Sequence, residues 1–65
     1  MKNMKKMFIK EITEVAPKTR FVDLRIVQRY IREMDHEGLW KEFVDVNDLV
    51  LDYFFYQSYQ LELES

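Results

Sequence analysis

Apolar residues recur at helical spacing in the first segment of the chain. Over residues 3–16 they fall at intervals of four, four and three, which places them on one face of a helix: Met4, Phe8, Ile12 and Val15. The opposite face is polar: Lys6, Lys10 and Thr13. Pro17 disfavours helical backbone at the residue before it, Ala16. The pattern therefore predicts an amphipathic helix that ends at Ala16.

The second segment, LRIVQRYIREMDHEGLW at residues 24–40, has a basic stripe opposite an apolar stripe. On a helix the basic side chains share one side: Arg25, Arg29, Arg32 and His36. The apolar side chains share the other: Leu24, Val27, Tyr30, Ile31 and Met34. Thr19 and Asp23 both suit the N-cap, because their side-chain oxygens can accept a hydrogen bond from the first turn. Gly38 is predicted to end the helix, since glycine readily adopts the left-handed conformation found there.

The third segment, residues 39–65, fits two structures. Apolar residues at alternate positions favour a strand: Leu49, Leu51, Tyr53, Phe55, Tyr59, Leu61 and Leu63. Other apolar residues between them interrupt the alternation, and a helix is favoured by Asn47 as N-cap, by Asp48 in the first turn and by the lack of Gly or Pro. We predict a helix, with a short helix in GLWKEFV before it. Such a helix is apolar nearly all round and would need burial on several sides.

The predicted fold is a small all-α domain of three helices that spans residues 1–65. Pro17 and Gly38 are the only proline and glycine, and they divide the chain into the three segments. The predicted core comprises Phe8, Ile12, Leu24, Val27, Tyr30, Ile31, Met34, Leu39, Trp40 and Leu49. The alternative is an α+β domain in which the third segment folds as a C-terminal hairpin.

The stretch IVQRYIREMDHEGLW resembles the recognition helix of winged helix-turn-helix proteins, a basic helix that ends in a Glu-Gly-Leu-like turn. The resemblance implies a wing hairpin formed by LWKEFVDVNDLVLDYFFY, with Asn47 and Asp48 at its tip. It also implies DNA contacts from four basic residues: Lys18, Arg25, Arg29 and Arg32. Such side chains bind phosphates and guanine edges. Because Asp45, Asp48 and Asp52 would repel phosphates from that wing, DNA binding is the second hypothesis for the function.

Composition argues against catalysis and against metal or cofactor binding. The chain has no Cys and one His, so no disulfide, thiolate metal site or imidazole cluster is expected. Its only serines are Ser58 and Ser65, and it has no Gly-rich phosphate loop. We therefore expect no enzyme, no cofactor and no small-molecule substrate. The N-terminal segment lacks the apolar run of a signal peptide or membrane span, so we expect no membrane association and a cytoplasmic protein.

Charge and size point to association with another protein. Residues 1–32 contain nine Lys or Arg against three Asp or Glu, whereas residues 33–65 contain one against nine, although the net charge is only −2. A single core in a chain of this size contributes only about 3–5 kcal/mol. Association with a partner, or with a second copy as a homodimer, would add to that stability.

The aromatic residues indicate where a partner would bind. Ten of the 65 residues are aromatic, and five of them lie within residues 53–59. A core this small cannot enclose them all, and Tyr and Trp are common anchors of interfaces. The preferred hypothesis is therefore a non-enzymatic regulatory protein that occupies a partner surface. Its predicted aromatic contacts are Trp40, Tyr53, Phe54, Tyr56 and Tyr59, with Asp48 and Asp52 setting specificity.

Overall fold

Three α-helices form the fold of residues 3–15 and 22–64, the part of the chain that the computed structural model describes. They are α1 (Met4–Val15), α2 (Leu24–Glu37) and α3 (Val46–Glu64), with a short 3-10 helix (Leu39–Glu42) between the last two. These described ranges contain no strand. The all-α prediction is confirmed, as is the short helix before α3.

The winged-helix alternative is wrong, because its hairpin is absent. Asn47 and Asp48 lie in the first turn of α3 and not at the tip of a wing. Two-residue hairpins prefer a glycine in the turn, as in Asn-Gly or Asp-Gly, and the pair Asn47–Asp48 contains no glycine. A helix instead buries Leu49, Tyr53 and Gln57, which are four residues apart.

Helix α1 has the predicted amphipathic pattern. Met4, Phe8 and Ile12 are buried on one face, while Lys6 and Lys10 are exposed. At the N-terminus the Asn3 side chain accepts a hydrogen bond from the backbone N–H of Lys6 at 3.1 Å. The helix is described as far as Val15, and the predicted stop at Ala16 lies outside the described residues.

Helix α2 begins and ends as predicted. The carboxylate of Asp23 accepts a hydrogen bond from the backbone N–H of Arg25 at 2.9 Å, so Asp23 is the N-cap. Thr19, the other predicted N-cap, lies outside the described residues. Gly38 follows the helix with φ of 64° and ψ of 36°, and its N–H bonds the carbonyl of Asp35.

Substituting Gly38 is expected to destabilise the protein through the backbone alone. A Cβ atom at Gly38 would meet nothing within 4 Å, so no side-chain clash contributes. An L-residue in the left-handed conformation costs roughly 1–2 kcal/mol. We expect Gly38→Ala to lower the free energy of unfolding by about 1 kcal/mol in urea denaturation. Gly38→Asn should cost less, because Asn tolerates this conformation better than Ala; equal losses would contradict the explanation.

Helix α3 starts two residues earlier than predicted. The Asp45 carboxylate accepts a hydrogen bond from the backbone N–H of Asn47 at 2.8 Å. Asp45 therefore caps the helix, and Asn47, the predicted N-cap, lies inside its first turn. Burial on several sides does not occur: α3 buries one stripe against α1 and α2 and leaves its other side exposed.

The core is built around three aromatic rings, one from each α-helix. Phe8 of α1 lies 5.3 Å from Tyr30 of α2 and 5.9 Å from Tyr53 of α3, measured between ring centroids. Tyr30 and Tyr53 stack at 5.4 Å. Trp40 of the 3-10 helix covers Phe8 at 5.7 Å. These tilted and stacked geometries add to the area that the rings bury, so the cluster joins every helix of the fold.

Most of the predicted core is confirmed. Six predicted residues are buried: Phe8, Ile12, Val27, Tyr30, Met34 and Leu49. Ile31 and Trp40 are half-buried against them. The assignment of Leu24 and Leu39 to the core was wrong, since both residues are exposed, Leu24 to 61%. The prediction also omitted four buried residues: Met4, Ile26, Tyr53 and Gln57.

Candidate protein-binding surface

An apolar stripe runs along the outer face of α3. Its four residues are spaced by four and are between 57% and 76% exposed: Leu51, Phe55, Tyr59 and Leu63. On a helix that rises 1.5 Å per residue, the stripe is about 18 Å long. We call these four residues the α3 stripe. Contiguous large apolar side chains are uncommon on the exposed surface of a monomeric protein, so the α3 stripe is a candidate binding surface.

The α3 stripe lies in an acidic setting. Helix α3 contains four acidic residues and no basic one: Asp48, Asp52, Glu62 and Glu64. At helical periodicity, Asp48, Asp52 and Glu62 share the outer face with the stripe, and all three are exposed. The surface therefore combines apolar area with negative charge.

A buried polar network joins α3 to the start of α2 on the side of α3 that faces away from the stripe. The Tyr53 hydroxyl donates a hydrogen bond to Oε1 of Gln57 at 2.6 Å. The same oxygen accepts the backbone N–H of Asp23 at 3.0 Å. The Tyr53 hydroxyl also lies 3.2 Å from the carbonyl oxygen of Asp23. Because buried polar groups must find partners, these bonds hold one face of α3 against the start of α2.

The predicted contact residues are distributed over several environments. Asp48 and Tyr59 are exposed, whereas Phe54 and Tyr56 are half-buried. Trp40 is half-buried, and its indole N–H donates to Asp35 at 2.7 Å. Tyr53 is fully buried and belongs to the core, so its assignment to a surface contact is corrected. Sequence reasoning missed Leu51, Phe55 and Leu63, although their spacing of four is the signal that could have found them.

Asp52 is exposed but has a structural role. It accepts a hydrogen bond from the Tyr30 hydroxyl at 2.8 Å. Burial, together with this bond and the charge of Asp52, raises the pKa of Tyr30 well above its usual value. Asp52 thus joins α3 to α2, and it is a poorer choice than Asp48 for testing surface contacts by mutation.

Three of the four tyrosines are expected to make the fold sensitive to alkali. Burial is the main cause that raises the pKa of Tyr30, Tyr53 and Tyr56, the last to about 12. In the unfolded chain tyrosine ionises near pH 10. A raised folded-state pKa contributes stability that is complete below pH 10 and is lost as the pH rises toward 12.

We expect the tyrosinate absorbance and the loss of helical circular dichroism to rise together above about pH 10. The titration is best made in a Tyr59→Phe variant, so that only the three enclosed hydroxyls contribute. Gradual ionisation centred near pH 10 with an unchanged helical signal would contradict the burial of these groups.

The basic stripe of α2 is largely engaged within the molecule. Arg25 pairs with Asp23 at 3.2 Å, and this interaction lowers the pKa of the Asp23 carboxyl. Arg29 donates to Gln60 at 2.8 Å and lies 3.4 Å from Glu64. Arg32 is exposed and has no hydrogen bond or ion pair with the described residues. Lys18 lies outside the described residues. A free row of arginines is therefore not present on α2.

Asp35 connects three elements at the other end of α2. It accepts hydrogen bonds from Lys5 of α1 at 2.8 Å and from Trp40 of the 3-10 helix at 2.7 Å. These bonds, the Lys5 bond first, lower the pKa of the Asp35 carboxyl. Lys5 stands near the start of α1 and Asp35 near the end of α2, so the two helices run in opposite directions.

Two depressions mark the surface between helices. One of about 670 Å³ lies between α2, the 3-10 helix and α3, with Tyr30, Met34 and Tyr56 on its wall and Arg32 and His36 among its polar residues. The other, of about 560 Å³, lies between α1 and α2. Within the described ranges no group of three or more His, Cys, Asp or Glu residues is placed to hold a metal ion.

Comparisons with known proteins do not assign the chain to a family. No protein-family model, no curated protein and no solved structure matches it. Among the helices that the structure describes, none has the length and apolar character needed to cross a bilayer. The interpretation of the surface therefore depends on its own geometry and charge.

Proposed function

We propose that this chain is a small regulatory protein of the cytoplasm that acts by binding another protein through the α3 stripe. The observation that supports this proposal is the exposure of Leu51, Phe55, Tyr59 and Leu63 on one continuous helical face. Binding would cover this apolar area and so gain the free energy of its removal from water. No catalytic step is proposed: the protein acts by occupying a partner surface.

The charge of α3 selects the kind of partner. A symmetric contact between the α3 helices of two copies would bring acidic residues toward acidic residues, which is unfavourable. A partner surface that is apolar and edged by Lys or Arg would gain both from the burial of apolar area and from attraction to the acidic residues of α3. We therefore propose a partner with a basic rim around an apolar groove, in which the α3 stripe lies as an amphipathic helix.

Site-specific photo-crosslinking in the cells that produce the protein tests the proposal. Benzoylphenylalanine is placed at position 55, or at position 44 as control. Val44 is 85% exposed, but it lies in the loop before α3 and outside the stripe. We expect one discrete adduct from position 55 and none of that mass from position 44. The partner identified from the adduct is then purified for binding measurements.

Binding of the purified partner provides the decisive comparison. Phe55→Asp is expected to weaken binding at least tenfold, which corresponds to about 1.4 kcal/mol. The matched control Val44→Asp makes the same kind of apolar-to-acidic change and should bind like the wild type. Equal affinity of Phe55→Asp and wild type would overturn the assignment of the stripe.

DNA binding is the second candidate function, favoured by the exposed side chains of Arg25 and Arg32. The pairing of Arg25 and Arg29 within the molecule argues against it. Titration with mixed-sequence duplex DNA at about 50 and 200 mM salt separates the two functions, because phosphate contacts weaken steeply with salt. Salt-dependent binding that an Arg25/Arg29/Arg32→Glu variant abolishes would establish the DNA function.

A further inference from the structure

The depression between α1 and α2 is an apolar groove, and none of the described residues that line it is charged. Seven side chains line it: Ile9, Ile12, Thr13, Leu24, Val27, Gln28 and Ile31. Leu24 and Ile9 are exposed although both are large and apolar. The ion pair between Lys5 and Asp35 lies beyond one end of the groove. The groove explains why Leu24 is exposed: it faces the seam between two helices that pack mainly on α3 and only weakly on each other.

The surroundings of this groove are complementary in charge to α3. Lys6 and Lys10 are exposed on α1. At about 100° per residue, they lie on the side of the helix next to Ile9 and Thr13. Helix α1 has three lysines against two glutamates, whereas α3 has four acidic residues and no basic one. The groove is thus an apolar surface with lysines on one side, which is the kind of partner that the α3 stripe requires.

The groove is shorter than the whole α3 stripe of about 18 Å, but it matches part of the stripe in length. From Leu24 to Ile31 the groove follows α2 for about 10 Å, at 1.5 Å per residue. The segment of the stripe from Leu51 to Tyr59 is about 12 Å long by the same measure. An amphipathic helix whose anchors are spaced by four residues is the usual occupant of a groove of this shape.

We infer that the α1–α2 groove of one molecule binds the α3 stripe of a second copy. This inference rests on the proposed function, because both use the α3 stripe; the second copy and another protein would therefore compete for it. The groove contains no residue of α3, whose buried side faces α1 and α2 and whose stripe faces away from them. Groove and stripe consequently lie on opposite sides of the molecule.

A contact between two different surfaces has a consequence for assembly. A symmetric dimer uses the same patch on both molecules, whereas a head-to-tail contact leaves one groove and one stripe free at the ends. Each added copy then has a free groove or a free stripe that can bind a further copy. The expected species are a concentration-dependent series of monomer, dimer and longer chains, and not a single closed dimer.

Sedimentation velocity with two complementary variants tests this arrangement. Phe55→Glu disables the stripe and leaves the groove intact, while Leu24→Glu disables the groove and leaves the stripe intact. Both positions are exposed, so the fold should persist, and circular dichroism checks that it does. Wild type is expected to form the series at high concentration, whereas each variant alone should have a self-association constant at least tenfold weaker.

The equimolar mixture of the two variants distinguishes the assemblies. It contains one intact groove and one intact stripe, so it should form a 1:1 dimer that grows no further. Val44→Glu, which touches neither surface, should assemble like the wild type. A wild type that stays monomeric at every concentration would overturn the inference. A closed dimer that Leu24→Glu leaves unaffected would also overturn it and indicate contact between α3 helices.

The experiments can distinguish a failure of the groove–stripe inference from a failure of the proposed function. If the wild type is monomeric but position 55 still cross-links to a different protein, the groove assignment falls and the proposed function stands. If the chain assembles head to tail but position 55 yields only adducts of the protein with itself, the stripe serves self-association and the proposal of another partner falls.

Discussion

Phe8→Ala is expected to leave most molecules unfolded at 25 °C. Phe8 is 0% exposed and contacts aromatic rings from α2, α3 and the 3-10 helix. Truncation of a buried Phe to Ala costs roughly 3–5 kcal/mol, since apolar area is lost and a cavity remains. A domain of this size seldom has more than about 3–5 kcal/mol to lose. Far-UV circular dichroism and urea titration would show the loss.

Phe55→Ala provides the matched control for Phe8→Ala. The chemical change is the same, but Phe55 is 76% exposed on the outer face of α3. Surface substitutions usually change stability by less than about 0.5 kcal/mol. If Phe8→Ala abolishes folding entirely, Phe8→Leu should retain a measurable transition at lower urea concentration than wild type. Equal stabilities of Phe8→Ala and Phe55→Ala would contradict the position of α1 in the core.

Helices α1 and α2 were predictable because their hydrophobic periodicity agrees with the way in which they pack. Both have one apolar face, and α2 also has a capping residue at Asp23 and a glycine at its end. The third segment carries no such agreement, because its apolar residues fall at odd and even positions alike. Its helical state depends on which stripe packs against α1 and α2, and a single sequence does not contain that information directly.

The residues of the candidate surface could also not be predicted fully from the sequence, because the rotation of α3 is not evident from it. Sequence reasoning found the aromatic segment 53–59, but it assigned Tyr53 to a surface and left Phe55 out. Two positions separate these residues, and the rotation of α3 alone decides which is buried. The hydrogen bonds that join this face of α3 to the start of α2 run from Gln57 and Tyr53 to Asp23, which lies 34 and 30 positions away. Gln57 interrupts the strand-like alternation, and its polar side chain gives no hint of burial.

Arg25 and Arg32 lie on the exposed side of α2, as predicted. Arg29 was predicted to share that side, but it is half-buried beside Ile26 and reaches Gln60 and Glu64 at the end of α3. The charge split between residues 1–32 and 33–65 favours packing of the two halves with mutual neutralisation. Among the described ion pairs of the arginine stripe, the one between Arg29 and Glu64 joins the two halves.

Gln57→Leu is expected to destabilise the protein by about 2 kcal/mol, because it removes the acceptor of two hydrogen bonds without creating a large cavity. Oε1 of Gln57 accepts from the Tyr53 hydroxyl and from the N–H of Asp23. The Tyr53 hydroxyl retains the Asp23 carbonyl as a partner at 3.2 Å, so the N–H of Asp23 bears most of the loss. Urea denaturation measures the effect. Gln28→Leu, the same change at an exposed position of α2, should alter stability by less than about 0.5 kcal/mol.

A double-mutant cycle identifies the polar network as the cause. Tyr53→Phe alone should cost about 1 kcal/mol, the net value of a typical hydrogen bond. Combined with Gln57→Leu, it should cost less than the sum of the two single changes, since each removes the same bond between Tyr53 and Gln57. Strict additivity would mean that this 2.6 Å bond contributes nothing to stability. A coupling of at least about 0.5 kcal/mol would show that the bond between Tyr53 and Gln57 contributes to stability.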